Sequence, residues 1–281
     1  MARLLRDKDY QRLIQDDNLL AVIESNQSIK LDVEQSAQAE MTSYLAQRYI
    51  TSSVFSQTFA WSNAVAYKGK QLVEYTETKH NVATTYAVDD RVSFNGYIYK
   101  CLVISTGFLP TNATYWTAVC EDKALFYVTL PYSEYDNTAT YAVGSGVWYN
   151  DVVYTNTVSC SAVLPTNTGF WSAGVTYSVT AGTLPTDTDY FTAGDNRNQQ
   201  IVMYLIDITL YHLHSRINPR NIPDLRKERY DGNNPQQNGG AIAWLKRVAS
   251  GDLTADLPNI IAQQGMSIRY NTITSFTTNT Y

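Results

Sequence analysis

Paired carboxylates, clustered histidines and exposed aromatic rings are the three sets of side chains here that could do chemistry. Acid–base hydrolysis needs two carboxyl groups facing each other across a cleft. Asp89, Asp90 and Glu121 are the candidates, and each falls in a loop stretch with no partner at a fixed spacing, so they read as solvated loop acids. Asp207, His212 and His214 lie close in sequence, with His80 remote. On a helix, positions 212 and 214 point about 200° apart and cannot share one ion. No metal site and no cofactor are expected. The chain has no Gly-x-Ser-x-Gly, no Gly-rich phosphate loop and no Cys-x-x-Cys, and no catalysis is expected. Tyr97, Trp116, Trp148 and Trp171 are candidates for glycan or protein contact, because ring faces stack on sugar C–H groups and on apolar partners. Trp148 follows Val147 and by strand alternation faces the other way, so it is the ring expected to be exposed.

The elements that must carry these residues fall into two kinds. Residues 196–217 place Ile201, Leu205 and Ile208 on one helical stripe and Val202, Ile206, Leu210, Leu213 and Ile217 on another. A helix apolar on more than one side must be wrapped by other elements. Its apolar run is too short to span a bilayer and is interrupted by Asp207. A buried carboxylate there needs a cation, which Arg48 or Arg229 could supply, pinning helix to helix. The wrapping segments lie at the two chain ends. Asp7 caps a short helix carrying Tyr10, Leu13 and Ile14; residues 19–25 make another short turn; residues 26–30 read as a linker; residues 31–49 read as a longer helix. Beyond the central helix, Pro219 and Pro223 force a turn, and residues 224–230 and 241–250 read as helices, the last stopped by Gly251. Residues 260–281 are a Thr/Asn/Ser-rich extended tail.

The middle of the chain repeats. Thr85-Tyr86-Ala87-Val88 matches Thr140-Tyr141-Ala142-Val143, and the register holds without a gap through Val92/Val147, Asn95/Asn150, Tyr99/Tyr154, Leu109-Pro110-Thr111-Asn112/Leu164-Pro165-Thr166-Asn167 and Trp116/Trp171. Every match is offset by 55 positions (171 − 116). Leu184-Pro185-Thr186-Asp187 with Tyr190-Phe191 reads as a truncated third copy, and Trp61 with Tyr67 as the beginning of another. Inside a copy, Asn95-Gly96 between alternating runs marks a β-hairpin, with Asn150-Asp151 in its place in the second. The fold class expected is α+β: a helical frame with a large inserted β-rich region of tandem small antiparallel modules. Residues 1–60 form the N-terminal part of the frame. Residues 61–194 hold the repeats, at about 85–119, 140–174 and, in part, 180–192. Residues 195–281 form the C-terminal part with its tail.

Composition narrows function. Charged residues are 17% of the 281 and the net charge is −5, which argues against binding driven by nucleic-acid phosphates. The N-terminus runs straight into charged residues and reads as lacking a signal peptide. No membrane span is expected. Three cysteines make a sparse, odd set and read as reduced thiols. The 22 tyrosines, many beside Thr, Asn and Val, fit a β-rich middle.

Two resemblances attach to these residues. The frame resembles the head-to-tail adaptor (connector or head-completion) proteins of tailed bacteriophages. It shares the Asp7-x-Asp9-Tyr10 opening helix, Tyr44-Leu45-x-x-Arg48-Tyr49, the helix with Asp207-Ile208-x-Leu210-Tyr211, Arg229-Tyr230-Asp231, and Trp244-Leu245-x-x-Val248-Ala249-x-Gly251. Family members join the second and third long helices by a short segment, whereas here residues 61–194 intervene. The resemblance implies a structural, non-enzymatic virion protein made in a bacterial cytoplasm and placed in the phage neck. It implies a homo-oligomeric ring of twelve beneath the portal protein, touching other neck and tail proteins. The tail residues Ile268, Tyr270, Phe276 and Tyr281 would then dock on the portal by adding a strand or lying in a groove. The repeats resemble small carbohydrate-binding modules of chitinases and of some phage structural proteins. That pattern reads here Tyr86-Ala87-Val88-Asp89-Asp90-Arg91-Val92, Asn95-Gly96, Tyr99, Pro110, Trp116. It implies modules that project outward and decorate the neck, touch proteins or hold surface glycans. A stand-alone glycan-binding protein without catalysis is the alternative expectation.

Overall fold

A computed structural model describes residues 3–55, 57–217, 219–232 and 239–257. The four tail residues named above, Ile268, Tyr270, Phe276 and Tyr281, lie outside them.

The helices are α1 (Asp7–Tyr10), α2 (Asp16–Val22), α3 (Gln27–Leu45), α4 (Thr51–Val54), α5 (Gln199–Ile217), α6 (Asp224–Asp231) and α7 (Ala241–Ser250). Among the described residues the strands fall between α4 and α5, so the fold is α+β with a β-rich region set inside a helical frame. The expected linker at residues 26–30 is instead the start of α3. Asn26 takes the N-cap position and its side chain accepts from the Ser28 N–H at 3.0 Å, which satisfies one of the otherwise orphaned donors. At α5 Asn198 does the same, accepting from the N–H groups of Gln200 and Ile201.

α5 is buried at Ile201, Val202, Leu205, Ile206, Asp207, Ile208, Thr209, Leu210 and Leu213, so apolar contact surrounds it. Ile217, counted on the same stripe from spacing, is half exposed, because the helix runs out of the core in its last turn. α3 and α6 pack on α5, and α7 closes over all three with Ala241, Ile242, Trp244, Leu245 and Val248, the i, i+3, i+4, i+7 pattern of one apolar face. Residues from both chain ends, Leu4 to Phe55 and Ile201 to Leu257, thus share one core. Gly251 ends α7 at φ +88°, and a Cβ there would meet the Arg48 guanidinium at 2.0 Å. That close approach sets Arg48 over the C-terminal end of α7, where a cation opposes the helix dipole.

The β-rich region contains three modules, two of them inserted into the third. The first is a three-stranded antiparallel sheet of Arg91–Phe94, Tyr97–Cys101 and Trp116–Glu121, with a short pair Thr85–Tyr86 and Ser105–Thr106. The second repeats it with Gly146–Tyr149, Val152–Thr155 and Val175–Thr176, and the pair Thr140–Tyr141 and Cys160–Ser161. Asn95 and Gly96 sit at φ +48° and +80°, and Asn150 and Asp151 at +48° and +63°, the left-handed pair that a tight hairpin demands.

The fragments that read as two incomplete copies are parts of one complete module. Strand Tyr67–Lys68 pairs with Ser178–Val179, and Leu72–Tyr75 pairs with Ala124–Val128, which pairs with Phe191–Ala193. Its internal bonds are those of the other two. The Tyr67 hydroxyl accepts from the Ser62 N–H at 2.7 Å, as Tyr86 does from Asn81 and Tyr141 from Asp136. Lys70 donates to the Val128 carbonyl as Asp89 does to Cys101 and Gly144 to Asn156, and all three donors have positive φ. The turn opened by Asp187 repeats those at Asn112 and Asn167, with the side chain bonding the N–H two residues on. We call this the host module. The first module is inserted at the host's hairpin turn, between Tyr75 and Ala124, and the second between Val128 and Ser178. Strand Thr58–Ala60, assigned to the frame from sequence, adds to the host sheet in parallel with Leu72–Glu74.

Candidate interaction surfaces

The three tryptophans proposed for contact are interior residues. Trp116 packs edge-on against Tyr86 at 5.2 Å and Trp171 against Tyr141 at 5.3 Å, each the centre of its module's small core with Val92 or Val147. Burial of such a large ring is how a module of this size gains a core at all. The exposure expected for Trp148 is corrected: it is 4% exposed. Alternation does turn it away from Val147, but that outer face is covered by the host module. A Cβ on Gly69 would stand 2.4 Å from the Trp148 ring and 2.8 Å from Leu130, so the absence of a side chain at Gly69 is what lets the indole seat there. The matching residue Ser93 is also buried, its hydroxyl donating to Asp122. Of the four ring candidates only Tyr97 is exposed.

A different surface repeats on the modules. Val88 and Val143, Val103 and Val158, Leu109 and Leu164 are all exposed, and each pair keeps the 55-position offset. In the first module Ile104, 65% exposed, and Phe108 are exposed as well, and Phe108 stacks on Tyr115 at 3.9 Å. These residues sit in loops between strands, where apolar side chains contribute nothing to the module core. The signal was present in the sequence as apolar loop residues recurring at the repeat offset.

Charged residues in the frame are engaged structurally. Asp207, 4% exposed, takes both oxygens to Arg229, from Nε at 2.6 Å and Nη2 at 3.1 Å, tying α5 to α6. Burial pushes its carboxyl up from the ordinary value against the pull of Arg229. Arg48, the other candidate partner, lies over α7 instead and reaches the Val248 carbonyl at 3.5 Å. His212 Nε2 and the Tyr230 hydroxyl both meet the Glu40 carboxylate at 2.7 Å, and Tyr230 stacks on Tyr211 at 3.8 Å, so α3, α5 and α6 join at one polar seam. His214 is not brought to it. Among the described residues no cluster of His, Cys, Asp or Glu has the make-up of a metal site. Asp89 pairs with Lys100 at 2.8 Å, and the Asp90 carboxylate accepts from the Ala87 N–H, so these acids brace a loop and face no second carboxyl. Cys101, Cys120 and Cys160 are free thiols.

Arg197 carries no signal in the sequence that marks its role. Its guanidinium, 1% exposed, donates to both oxygens of Asp9 at 2.6 and 3.0 Å, to both oxygens of Asp195 at 2.9 and 2.7 Å, and to the Leu4 carbonyl at 2.7 Å. Arg6 adds its N–H and guanidinium to Asp9 and reaches Glu74 of the host sheet at 3.5 Å. Burial raises the Asp9 and Asp195 carboxyls, and Arg197 overrides it to hold both below the ordinary range. The N-terminal segment is the hub: Thr58, where the chain departs into the β region, donates to the Arg3 carbonyl, and Arg197, where it returns, holds that of Leu4. No spacing rule links residues 9 and 197, so only the fold reveals the cluster.

No helix among the described residues is long and apolar enough to cross a membrane. Comparison with protein-family models and with curated proteins finds no match to either.

Proposed function

We propose that the chain is a structural virion protein, a head-to-tail adaptor that forms a ring beneath the portal of a tailed phage, with its β modules facing outward. The observation that supports this reading best is the arrangement of the chain. The described segments on the two sides of the β region fold into one helical core around α5, and the β region leaves and returns at neighbouring residues, next to Arg3 and Leu4. A frame so organised can keep its ring contacts whatever is inserted at that corner. The ordered set of frame residues, from Asp7-x-Asp9-Tyr10 to Gly251, supports the same reading. The proposed assembly is a homo-oligomeric ring of twelve that contacts the portal and further neck or tail proteins. The exposed apolar positions shared by the two inserted modules are the surface offered outward, to a protein or loosely to glycans. The alternative, a stand-alone glycan-binding protein, now rests on Tyr97 and the Phe108–Tyr115 pair, since Trp116, Trp148 and Trp171 are interior.

The test is to mix the purified chain with portal rings from the same virus and image the product by negative-stain electron microscopy. The proposal expects an added ring of density on one face of the portal. Portals that stay bare at high micromolar chain would overturn it.

A further inference from the structure

An open groove of about 770 Å³ runs along α3. Its floor is Leu4, Leu5 and Leu205, and its wall is the i, i+4 stripe Leu31, Gln35, Ala39 with Thr42. Leu31 is 45% exposed there, a large apolar side chain turned into an unfilled space. We infer that the groove is the seat of this chain's own C-terminal segment, with Met266, Ile268 and Tyr270 entering it as one face of an extended strand.

Where the described chain stops favours this occupant. The Tyr49 hydroxyl accepts from the Ala255 N–H at 3.2 Å, and Asn198 holds the Asp256 carbonyl at 2.9 Å. Leu257 is buried beside them. Tyr49 lies just past the C-terminal end of α3, about 10 Å along the axis from Thr42. The 24 residues that follow Leu257 can reach roughly 80 Å when extended, so the distance is no obstacle.

Length and charge agree. From Thr42 to Leu31 the groove wall is about 16 Å long. Extended, Met266 and Tyr270 stand about 13 Å apart, so their three apolar side chains fit within that length on one face. A strand arriving at the Thr42 end places Tyr270 near Leu31. Arg269, the only charged side chain among residues 258–281, then points to the rim, where Asp32 lies at that same end. This inference is independent of the virion reading. If the groove is filled in the free chain, docking of the tail on any partner must begin by vacating it.

The test places a photo-cross-linker in the full chain by Gln35→benzoylphenylalanine, at an exposed groove position. ¹⁵N-labelled and unlabelled chains are mixed before irradiation and the products mapped by mass spectrometry. The expected result is cross-linking to residues 266–270 in peptides of like isotope only, with the yield falling at least tenfold on Ile268→Asp. Cross-links pairing unlike isotopes would show that a second copy fills the groove and would overturn the inference. So would cross-links confined to other segments, no cross-link at all, or a yield that Ile268→Asp leaves unchanged.

Discussion

Replacing Arg197 by methionine should loosen the point where the β region is fastened to the frame. The guanidinium is buried and serves two carboxylates and one carbonyl. Breaking a buried ion pair from one side costs about 3–5 kcal/mol, because the remaining charge stays behind in a poorly hydrated place. Asp9 would keep its bonds to Arg6, at 2.8 Å from the backbone and 3.2 Å from the side chain, so the lower end, about 3 kcal/mol, is expected. The assay is urea unfolding followed at 222 nm, which reports the helical frame. At about 2–3 kcal/mol per molar urea the midpoint should drop by about 1 M or slightly more. The pH dependence carries a sign. Asp9 and Asp195 have folded-state carboxyls below their ordinary 3.8. Their contribution is therefore complete above that value and is lost as pH falls through the folded-state values. The parent protein should lose stability as pH falls below the ordinary carboxylate value, and the difference between it and Arg197→Met should shrink over the same range. A midpoint shift under about 0.3 M, or a difference that does not change with pH, would refute the reasoning.

Three other perturbations have definite expectations. Gly69→Ala places a Cβ against the Trp148 ring and should cost about 1–3 kcal/mol by overpacking, read as a red shift of tryptophan emission when the second module unseats from the host. Gly96→Ala meets no neighbour within 4 Å, so its cost is conformational alone, about 1 kcal/mol from holding a side chain at φ +80°, measurable by thermal unfolding. Leu210→Ala on α5 empties space at the centre of the frame and should cost about 2–5 kcal/mol in the same urea assay, with the near-ultraviolet signal of the β modules unchanged below the transition.

Much of this architecture is legible in the residues. α5 announces itself by being apolar on more than one side, α7 by its spacing and by Gly251, and the hairpin turns by Asn95-Gly96 and Asn150-Asp151. The start of α3 was hidden because Asn26 and Ser28 suit a loop as well as a cap; only the bond between them decides. The host module was hidden for a different reason. A repeat search compares contiguous stretches, and the host's pieces are separated by the very modules inserted into it, so Trp61 with Tyr67 and Leu184-to-Phe191 each read as part of a separate incomplete copy. Trp148 was misplaced because strand alternation says which side a residue faces, not whether another module covers that side. Asp207 needed a cation, and the sequence offered Arg48 and Arg229 alike. The difference is that Gly251 admits Arg48 to the end of α7, leaving Arg229 for the carboxylate.

The proposed place in a phage neck turns the β modules outward on the particle. Immuno-electron microscopy of virus particles, with antibody raised against residues 85–171, tests it most directly. A neck adaptor gives label at the head–tail junction of intact particles. Particles without label, with the protein found free or on cell envelopes instead, would contradict it.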